Sequence, residues 1–179
     1  AAILMTLDGL NLVMSRTALL DIFLTLFVLL AVNAWLKGKY LGLAIYFGLA
    51  MGSKWSAIYY VAIFLILDLY INRKLFRTIK VGITSLLVYL ISWFGWFNSS
   101  LGWDRNVKSN PFLSLLYYHK EMLNFHTSLT EKHTYQANPW SWLVMGRPTS
   151  FYYQSPKGCG VKDCAKEVLA IGTPILWWI

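Results

Sequence analysis

Charged residues are scarce in this 179-residue chain: Asp, Glu, Lys and Arg make up 13% of it, whereas 57% is hydrophobic and 17% is aromatic. The mean hydropathy is +0.49, and several apolar runs are longer than a buried core helix needs. This composition excludes a water-soluble enzyme, a disordered tail and a fibrous protein. We therefore interpret the sequence as that of an integral membrane protein.

The sequence also lacks the motifs of nucleophilic hydrolases and of nucleotide-binding proteins. It has no Gly-x-Ser-x-Gly elbow, no Walker loop and no closely spaced pair of carboxylates. Acidic residues number 8 against 16 Lys and Arg, which gives a net charge of +8. Because these cations do not form one stripe, membrane topology explains them more simply than nucleic acid does, and we expect no nucleic-acid partner.

The cations divide the apolar sequence into segments. Lys37 and Lys39 form one gap and residues 73–80 form another, and the positive-inside rule makes both gaps cytoplasmic. We predict apolar helices at residues 17–36, in two halves of 40–71 that separate at 52–56, and at 81–97. Alternation then places residues 1–16, the turn at 53–56 and the long polar segment 98–172 on the opposite, extracytoplasmic face of the cell membrane.

The predicted fold class is an all-α, multi-span integral membrane bundle with an exported loop. Residues 1–97 form transmembrane helices with short connections, residues 98–172 form the extracytoplasmic loop, and residues 173–179 begin a further transmembrane helix. Within the loop, Asn110-Pro111 and apolar residues at three- and four-residue steps predict a helix that lies along the membrane surface. The chain starts without Met and stops as a new apolar run opens, so we expect a fragment of a longer polypeptide.

The chain contains two cysteines, Cys159 and Cys164, both in the predicted loop. In an oxidising compartment, a small disulfide is the favoured interpretation. A metal site would need two further ligands, and His126 and His133 are too far away in sequence to give a zinc signature. We therefore expect a disulfide and no metal ion.

Three charged residues next to or within apolar sequence are candidates for chemistry. Lys54 lies on the face opposite the cationic gaps and so needs an anionic partner, either a carboxylate or a phosphate. Arg16 and Asp21 also have a structural interpretation, as a snorkelling arginine and an aspartate hydrogen-bonded to a neighbouring helix. Gly48 and Gly52, four residues apart, indicate a helix-packing contact rather than a phosphate loop.

Residues 133–153 are dense in groups that bind sugars and phosphates. Aromatic faces stack on sugar rings, and His, Asn and Arg supply directional hydrogen bonds. An interfacial aromatic belt is the alternative. We predict a sugar or acceptor cleft formed by His126, His133, Tyr135, Trp140 and Arg147.

Several ordered blocks of the sequence resemble the protein O-mannosyltransferases. They are Leu7-Asp8-Gly9-Leu10 with Ser15-Arg16-Thr17-Ala18-Leu19-Leu20-Asp21, then Gly52-Ser53-Lys54-Trp55-Ser56, then residues 133–142 with Arg147-Pro148 and Phe151-Tyr152-Tyr153. The tail from Cys159 to Trp178 is similar to the bacterial, particularly actinobacterial, branch. Thr134 departs from the proline that is usual after the histidine.

The resemblance implies a GT-C-like helical enzyme that needs no cofactor. Such an enzyme takes mannose from polyprenyl-phosphate-mannose in the membrane lipid and attaches it to Ser or Thr of exported proteins. The acidic catalytic pair of the family lies upstream of this sequence, so the catalytic residues are unknown here and we expect the fragment to be inactive alone. Arg16 and Lys54 are the candidate contacts of the donor phosphate.

Two other functions fit the same sequence. Another lipid-linked sugar transferase of GT-C type would use a different sugar. A transporter or channel segment would place Asp21 and Lys54 along an ion path. A transporter keeps its substrate groups near the middle of the membrane, whereas this chain concentrates His, Trp and Arg in the predicted exported loop, which favours the transferase.

Overall fold

The computed structural model of the chain describes residues 2–17, 19–131, 135–156, 160 and 164–178. The chain forms two compact units, which we call the helical unit (residues 20–130) and the terminal unit (residues 1–19 and 131–179). The helices are Ala2–Leu7 (α1), Gly9–Arg16 (α2), Asp21–Leu36 (α3), Tyr40–Ser53 (α4), Ala57–Asn72 (α5), Leu75–Ser92 (α6), Phe94–Asn98 (α7), Pro111–Ser128 (α8) and Pro174–Trp178 (α9). A 3₁₀ helix spans Pro139–Val144, and the strands Thr149–Gln154 (β1) and Lys166–Ala170 (β2) pair antiparallel.

The breaks between the apolar helices of the helical unit lie where the sequence predicted them. Gly38 turns the chain between α3 and α4 with a φ of 66°, a conformation that glycine adopts without steric cost. Lys54 ends α4 in an extended conformation, with φ −152° and ψ 130°, and α5 starts at Ala57. The division of residues 40–71 into two halves is therefore confirmed.

Gly48 allows α4 and α6 to approach closely. A Cβ atom at Gly48 would lie 2.4 Å from Cβ of Val88 and 2.7 Å from the carbonyl oxygen of Ser85. A side chain there would push the two helices apart, because the interior is already filled. A Cβ atom at Gly52 would likewise lie 3.0 Å from Oγ of Ser92. The predicted helix-packing role of this glycine pair is confirmed.

A small apolar core joins α3, α4, α5 and α6. Phe47 and Ala31 are fully buried, and Leu43, Val61 and Val81 are almost so. On the same helices, large apolar side chains remain half exposed or more. They include Phe23, Leu26, Ile63, Ile66, Ile83 and Leu87. A small core inside an apolar exterior is typical of helices that contact lipid or further helices.

α6 is by itself long and apolar enough to cross a bilayer, since its 18 residues have a mean hydropathy of 1.5. α4 and α5 are apolar but shorter, with 14 and 16 residues. The observed fold is thus mostly helical and contains a candidate membrane span. The arrangement of several spans stays a prediction.

Three of the predicted helix limits were wrong. The helix predicted at residues 17–36 starts at Asp21, because Thr17 instead caps α2 through its N–H bond to the Val13 carbonyl. The helix predicted at 81–97 starts six residues earlier, at Leu75, and ends at Ser92. Its first turns contain Arg77 and Lys80, which the sequence analysis had assigned to a cytoplasmic gap.

The charge of Arg77 within the apolar helix α6 is balanced by Asp68. The Asp68 side chain is 4% exposed, and its carboxylate accepts hydrogen bonds from Trp35 Nε1 at 3.0 Å and Asn72 Nδ2 at 2.9 Å. Arg77 Nη2 and Thr78 Oγ1 donate to it at 3.0 Å each. These contacts tie α3, α5 and α6 together at one end of the helical unit.

The predicted surface helix is confirmed as a helix. Asn110 Oδ1 accepts the N–H of Phe112 at 2.8 Å, and Pro111 occupies the first turn of α8, where it loses no helical hydrogen bond. Leu115 is buried, whereas Phe112 and Leu116 are about two-thirds exposed within this unit. That exposed apolar face supports the proposal that α8 lies on a membrane surface.

The all-α expectation was wrong for Thr149–Gln154 and Lys166–Ala170. β1 and β2 form a hairpin in which Thr149 faces Ala170 and Gln154 faces Lys166. The sequence of β1, Thr-Ser-Phe-Tyr-Tyr-Gln, has high β-propensity. The sequence analysis treated these aromatic residues only as sugar contacts or belt residues and so missed the strand.

Candidate functional site

Lys54 and Asp21 form an ion pair in the helical unit. Nζ of Lys54 donates to Oδ1 of Asp21 at 2.6 Å, and the two side chains are 42% and 37% exposed. Lys54 follows the C-terminus of α4 and Asp21 begins α3, so each charge lies at the helix end whose dipole favours it. The sequence left open whether the anionic partner of Lys54 is a carboxylate or a phosphate; the structure contains the carboxylate.

The neighbouring Trp55 is held by α8. The Trp55 ring lies edge-on to the His119 ring, with 5.9 Å between centroids. Nδ1 of His119 lies 2.7 Å from the Leu115 carbonyl oxygen, which can only accept, so this nitrogen carries a proton. Nε2 of His119 meets the hydroxyl of Tyr89 on α6. The Lys54-Trp55 turn is thus fixed by α3 on one side and by α8 on the other.

A cleft of about 280 Å³ lies along α8 in the helical unit. Its lining residues are Trp103, Asp104, Tyr118, Glu121, Met122, Phe125 and His126. Asp104 adopts a φ of 53°, which is uncommon for a residue other than glycine. Carboxylates that accept hydroxyl hydrogen bonds beside aromatic faces suit a sugar or a hydroxyl-bearing peptide. The volume corresponds to one small ligand.

Trp140 lies on the 3₁₀ helix of the terminal unit. Oδ1 of Asn138 accepts the N–H of Trp140 at 3.1 Å, and Pro139 occupies the first turn. The Asn-Pro step therefore caps this helix. The Trp140 and Trp142 side chains are 78% and 67% exposed, so both indoles are available for contacts with a ligand, a lipid or another segment.

Arg147 and Tyr135 come together in the terminal unit. The guanidinium carbon of Arg147 lies 5.0 Å from the centroid of the Tyr135 ring, and Nη1 donates to the Gln136 carbonyl at 3.1 Å. Arg147 has a positive φ of 53°. This arginine therefore also stabilises the local backbone, in addition to any contact with a substrate.

Asp8, part of the motif Leu7-Asp8-Gly9-Leu10, joins the two ends of the terminal unit. Its carboxylate caps α2 by accepting the N–H of Asn11 at 3.0 Å, and it also accepts from Thr173 N at 2.9 Å and Trp177 Nε1 at 3.0 Å. Burial raises the pKa of Asp8, but the hydrogen bonds from Thr173, Asn11 and Trp177 outweigh it and hold the pKa below the ordinary value of 3.8. The role of Asp8 is structural.

The structure brings only some of the predicted site residues together. Tyr135 and Arg147 are in contact, Lys54 contacts Asp21, and His126 lies in the cleft along α8. Arg16 is exposed at the end of α2 in the terminal unit. His133 and Cys159 lie outside the described residues, and Cys164 is disulfide-bonded, so the pairing of the two cysteines stays a prediction.

Sequence reasoning missed the other residues that line the cleft with His126. Tyr118, Glu121, Met122 and Phe125 recur at helical spacing on α8 and could have been found as one face. Trp103 and Asp104 come from an irregular segment whose path no periodicity predicts. Among the residues that the structure describes, no group of three or more His, Cys, Asp or Glu is placed to hold a metal ion.

Comparison with protein families gives one match in the second half of the chain. Residues 111–179 match the family model described as the C-terminal four TMM region of protein-O-mannosyltransferase. This match and the apolar α6 both indicate a membrane protein. The matched segment includes α8, the 3₁₀ helix and the hairpin.

Curated relatives match along the whole chain. Proteins named polyprenol-phosphate-mannose–protein mannosyltransferase are 28% identical in Corynebacterium glutamicum and 27% identical in Mycobacterium tuberculosis, over 247 and 246 residues. A protein of the same name in Mycolicibacterium smegmatis is 28% identical over 246 residues. The alignments cover 100% of this chain and 47% to 48% of the relatives. The chain thus spans about half the length of the curated relatives it matches.

No solved structure matches the chain. The two comparisons agree: the chain is similar to proteins named as mannosyltransferases, and residues 111–179 are similar to a region of protein-O-mannosyltransferase. More narrowly, they confirm the resemblance to the protein O-mannosyltransferases, in their actinobacterial form, that the sequence motifs indicated.

Proposed function

We propose that the full-length protein transfers mannose from polyprenyl-phosphate-mannose to Ser or Thr hydroxyls of exported proteins. The observation that carries this proposal is the similarity along the entire chain to relatives named for that donor and for protein mannosylation. The ordered blocks around Arg16, Lys54 and residues 133–153 support it. This chain supplies part of the donor and acceptor sites.

In the proposed reaction, the bond between the sugar C1 and the phosphate oxygen breaks, and its electron pair stays on that oxygen. The hydroxyl oxygen of the acceptor forms the new bond to C1, and its proton passes to a base. The resemblance assigns the base to an acidic pair upstream of this sequence. The polyprenyl phosphate leaves with one more negative charge than it carried in the donor, so a cation near that oxygen favours the transition state.

Lys54 and Arg16 are the proposed phosphate contacts. The Lys54 ammonium has three N–H donors, of which Asp21 takes one. Arg16 is exposed and can bind phosphate oxygens in a bidentate manner. The sugar and the acceptor are assigned to His126 in its cleft and to His133, Tyr135, Trp140 and Arg147.

Transfer assays with the full-length protein in membranes test the proposed function. Polyprenyl-phosphate-mannose and a Ser/Thr peptide should give a mannosylated peptide, whereas the same lipid phosphate carrying glucose should not. Transfer of glucose alone would instead support a GT-C enzyme for another sugar. Absence of transfer from either donor would contradict a transferase of this class and favour the transporter or channel alternative.

Replacing Trp140 or His133 by Ala in the full-length protein is expected to lower mannosyl transfer by about tenfold, because lost stacking or hydrogen bonding costs roughly 1–2 kcal/mol. Trp142→Ala is the matched control, since Trp142 is a similarly exposed tryptophan on the same 3₁₀ helix. Initial rates are compared at equal abundance and thermal stability. Equal, small effects of Trp140→Ala and Trp142→Ala would favour the aromatic belt.

The proposed topology is multi-span in the cell membrane, with the active face outside. Residues 1–97 supply transmembrane helices, residues 98–172 are extracytoplasmic, and residues 173–179 begin a further span. A disulfide between Cys159 and Cys164 would be consistent with this exported location. Lys37 and Lys39, the cations between α3 and α4, lie on the cytoplasmic side in this arrangement.

Cysteine probes test this topology. A membrane-impermeant thiol reagent should label Asn106→Cys in intact cells and should label Lys37→Cys only after permeabilisation. Both positions are exposed in the structure, so burial does not limit the reaction. The wild-type protein measures the background from the native cysteines. The reversed labelling pattern would contradict the proposed orientation.

A further inference from the structure

We propose that Asp21 is a positioning residue that holds the Lys54 ammonium in place for the phosphate of the lipid donor. This inference rests on the proposed function and adds a residue that the resemblance alone did not assign. It starts from the ion pair in which Lys54 Nζ lies 2.6 Å from Asp21 Oδ1.

A lysine side chain needs such a partner if its ammonium is to stay in one position. Its four-carbon side chain carries a large rotamer entropy, and its charge is a point charge without a preferred plane. Both side chains of the pair are more than one-third exposed. The pair is therefore accessible to a ligand, unlike the second ion pair of the helical unit, in which Asp68 is 4% exposed and Arg77 21% exposed.

The ammonium retains binding capacity after it pairs with Asp21. Among the residues that the structure describes, Lys54 Nζ donates one hydrogen bond, to Asp21, which leaves two of its three N–H donors for phosphate oxygens. The backbone of Lys54 is extended and donates its N–H to the Ala50 carbonyl. The adjacent Trp55 packs on His119. Both the base and the tip of the lysine side chain are thus held.

The charge of the phosphate changes during the reaction. The donor is a phosphodiester with one negative charge, and the departing polyprenyl phosphate is a monoester that gains a second. A correctly placed ammonium therefore interacts more strongly with the transition state than with the bound donor. Loss of Asp21 should then affect kcat more than KM, because the Lys54 cation is still present but is no longer held in position.

The test uses the full-length protein with polyprenyl-phosphate-mannose and a Ser/Thr peptide. Asp21→Asn is expected to lower kcat by about 5- to 10-fold with the donor KM changed by less than about twofold, because misplacing a charged group costs mainly transition-state stabilisation. Asp21→Glu should recover part of the rate. In the double variant Asp21→Asn/Lys54→Met, the loss should equal that of Lys54→Met alone, since Asp21 acts through Lys54.

Binding gives a readout that does not depend on transfer. The Kd of radiolabelled polyprenyl phosphate should rise by about 5- to 10-fold in Asp21→Asn, because the monoester carries the charge that the positioned ammonium meets. Asp68→Asn is the control for damaged folding: it should lower thermal stability without this selective rise in Kd.

Each outcome is distinct. Wild-type kcat and wild-type Kd in Asp21→Asn, or losses that multiply in the double variant, would overturn the positioning role. Wild-type kinetics in Lys54→Met would overturn the phosphate contact on which it rests. If the protein transfers no sugar but Asp21→Asn still weakens binding of polyprenyl phosphate, the proposed function fails and the phosphate-binding role of the pair stands.

Discussion

Replacing Lys54 by Met in the full-length protein is expected to lower kcat/KM for polyprenyl-phosphate-mannose by roughly 10- to 100-fold. A hydrogen bond to a charged group is worth about 1.5–3 kcal/mol, and each 1.4 kcal/mol corresponds to a factor of ten. Met keeps the length and apolar character of the side chain and removes the charge. The fold should persist, because the pair that is lost is partly exposed.

Lys37→Met is the matched control for this measurement. Lys37 is an exposed lysine at the other end of α3, so the control makes the same chemical change away from the proposed phosphate site. Initial rates over a range of donor concentrations, at equal abundance, give kcat and KM for both variants. Equal kinetics in Lys54→Met and Lys37→Met would leave Lys54 with the structural role of joining α3 to α4.

The second large effect concerns stability. Arg77→Met is expected to lower the free energy of unfolding by about 3–5 kcal/mol, the usual result of removing one partner of a buried ion pair. The Asp68 carboxylate would stay buried with only neutral donors, from Trp35, Asn72 and Thr78. The variant would also lose the contact of the Arg77 guanidinium with the Tyr40 ring, 3.9 Å from its centroid.

Thermal unfolding of the detergent-solubilised protein measures this effect. Lys74→Met is the control, because Lys74 is an exposed cation that directly precedes α6, three residues before Arg77. The double variant Asp68→Asn/Arg77→Met should recover part of the lost stability, since it no longer buries an unpaired charge. An Arg77→Met variant that unfolds at the same temperature as Lys74→Met would contradict a stabilising role of the network.

The features predicted correctly from the sequence are encoded locally. Asn110-Pro111 specifies the start of α8 through a side-chain cap and a preset φ, and Gly38 turns the chain through a conformation that glycine adopts. The break after Ser53 coincides with Gly52 and Ser53, which weaken a helix. Such signals act within a few residues and need no knowledge of the tertiary fold.

The features that were missed depend on contacts distant in sequence. The pairing of β1 with β2 crosses the loop that contains the cysteines, and helical or aromatic patterns do not reveal it. Trp35 and Asp68 are 33 residues apart, although an aspartate within an apolar helix, nine residues before an arginine, was a usable signal of a buried pair. The cleft along α8 could not be predicted without knowing the path of the irregular segment around Trp103.

The contacts of Asp8 mean that the two units can be completed only at different stages of synthesis. The helical unit is one continuous segment, so all of its partners exist once residue 130 has been made. The terminal unit cannot be completed at that point. The Asp8 carboxylate accepts hydrogen bonds from Thr173 and Trp177, which follow it by 165 and 169 residues. Closing such a long loop carries an entropic cost that grows with the length of the loop. The contacts of Asp8 with Thr173 and Trp177 therefore form only after residue 177 has been made.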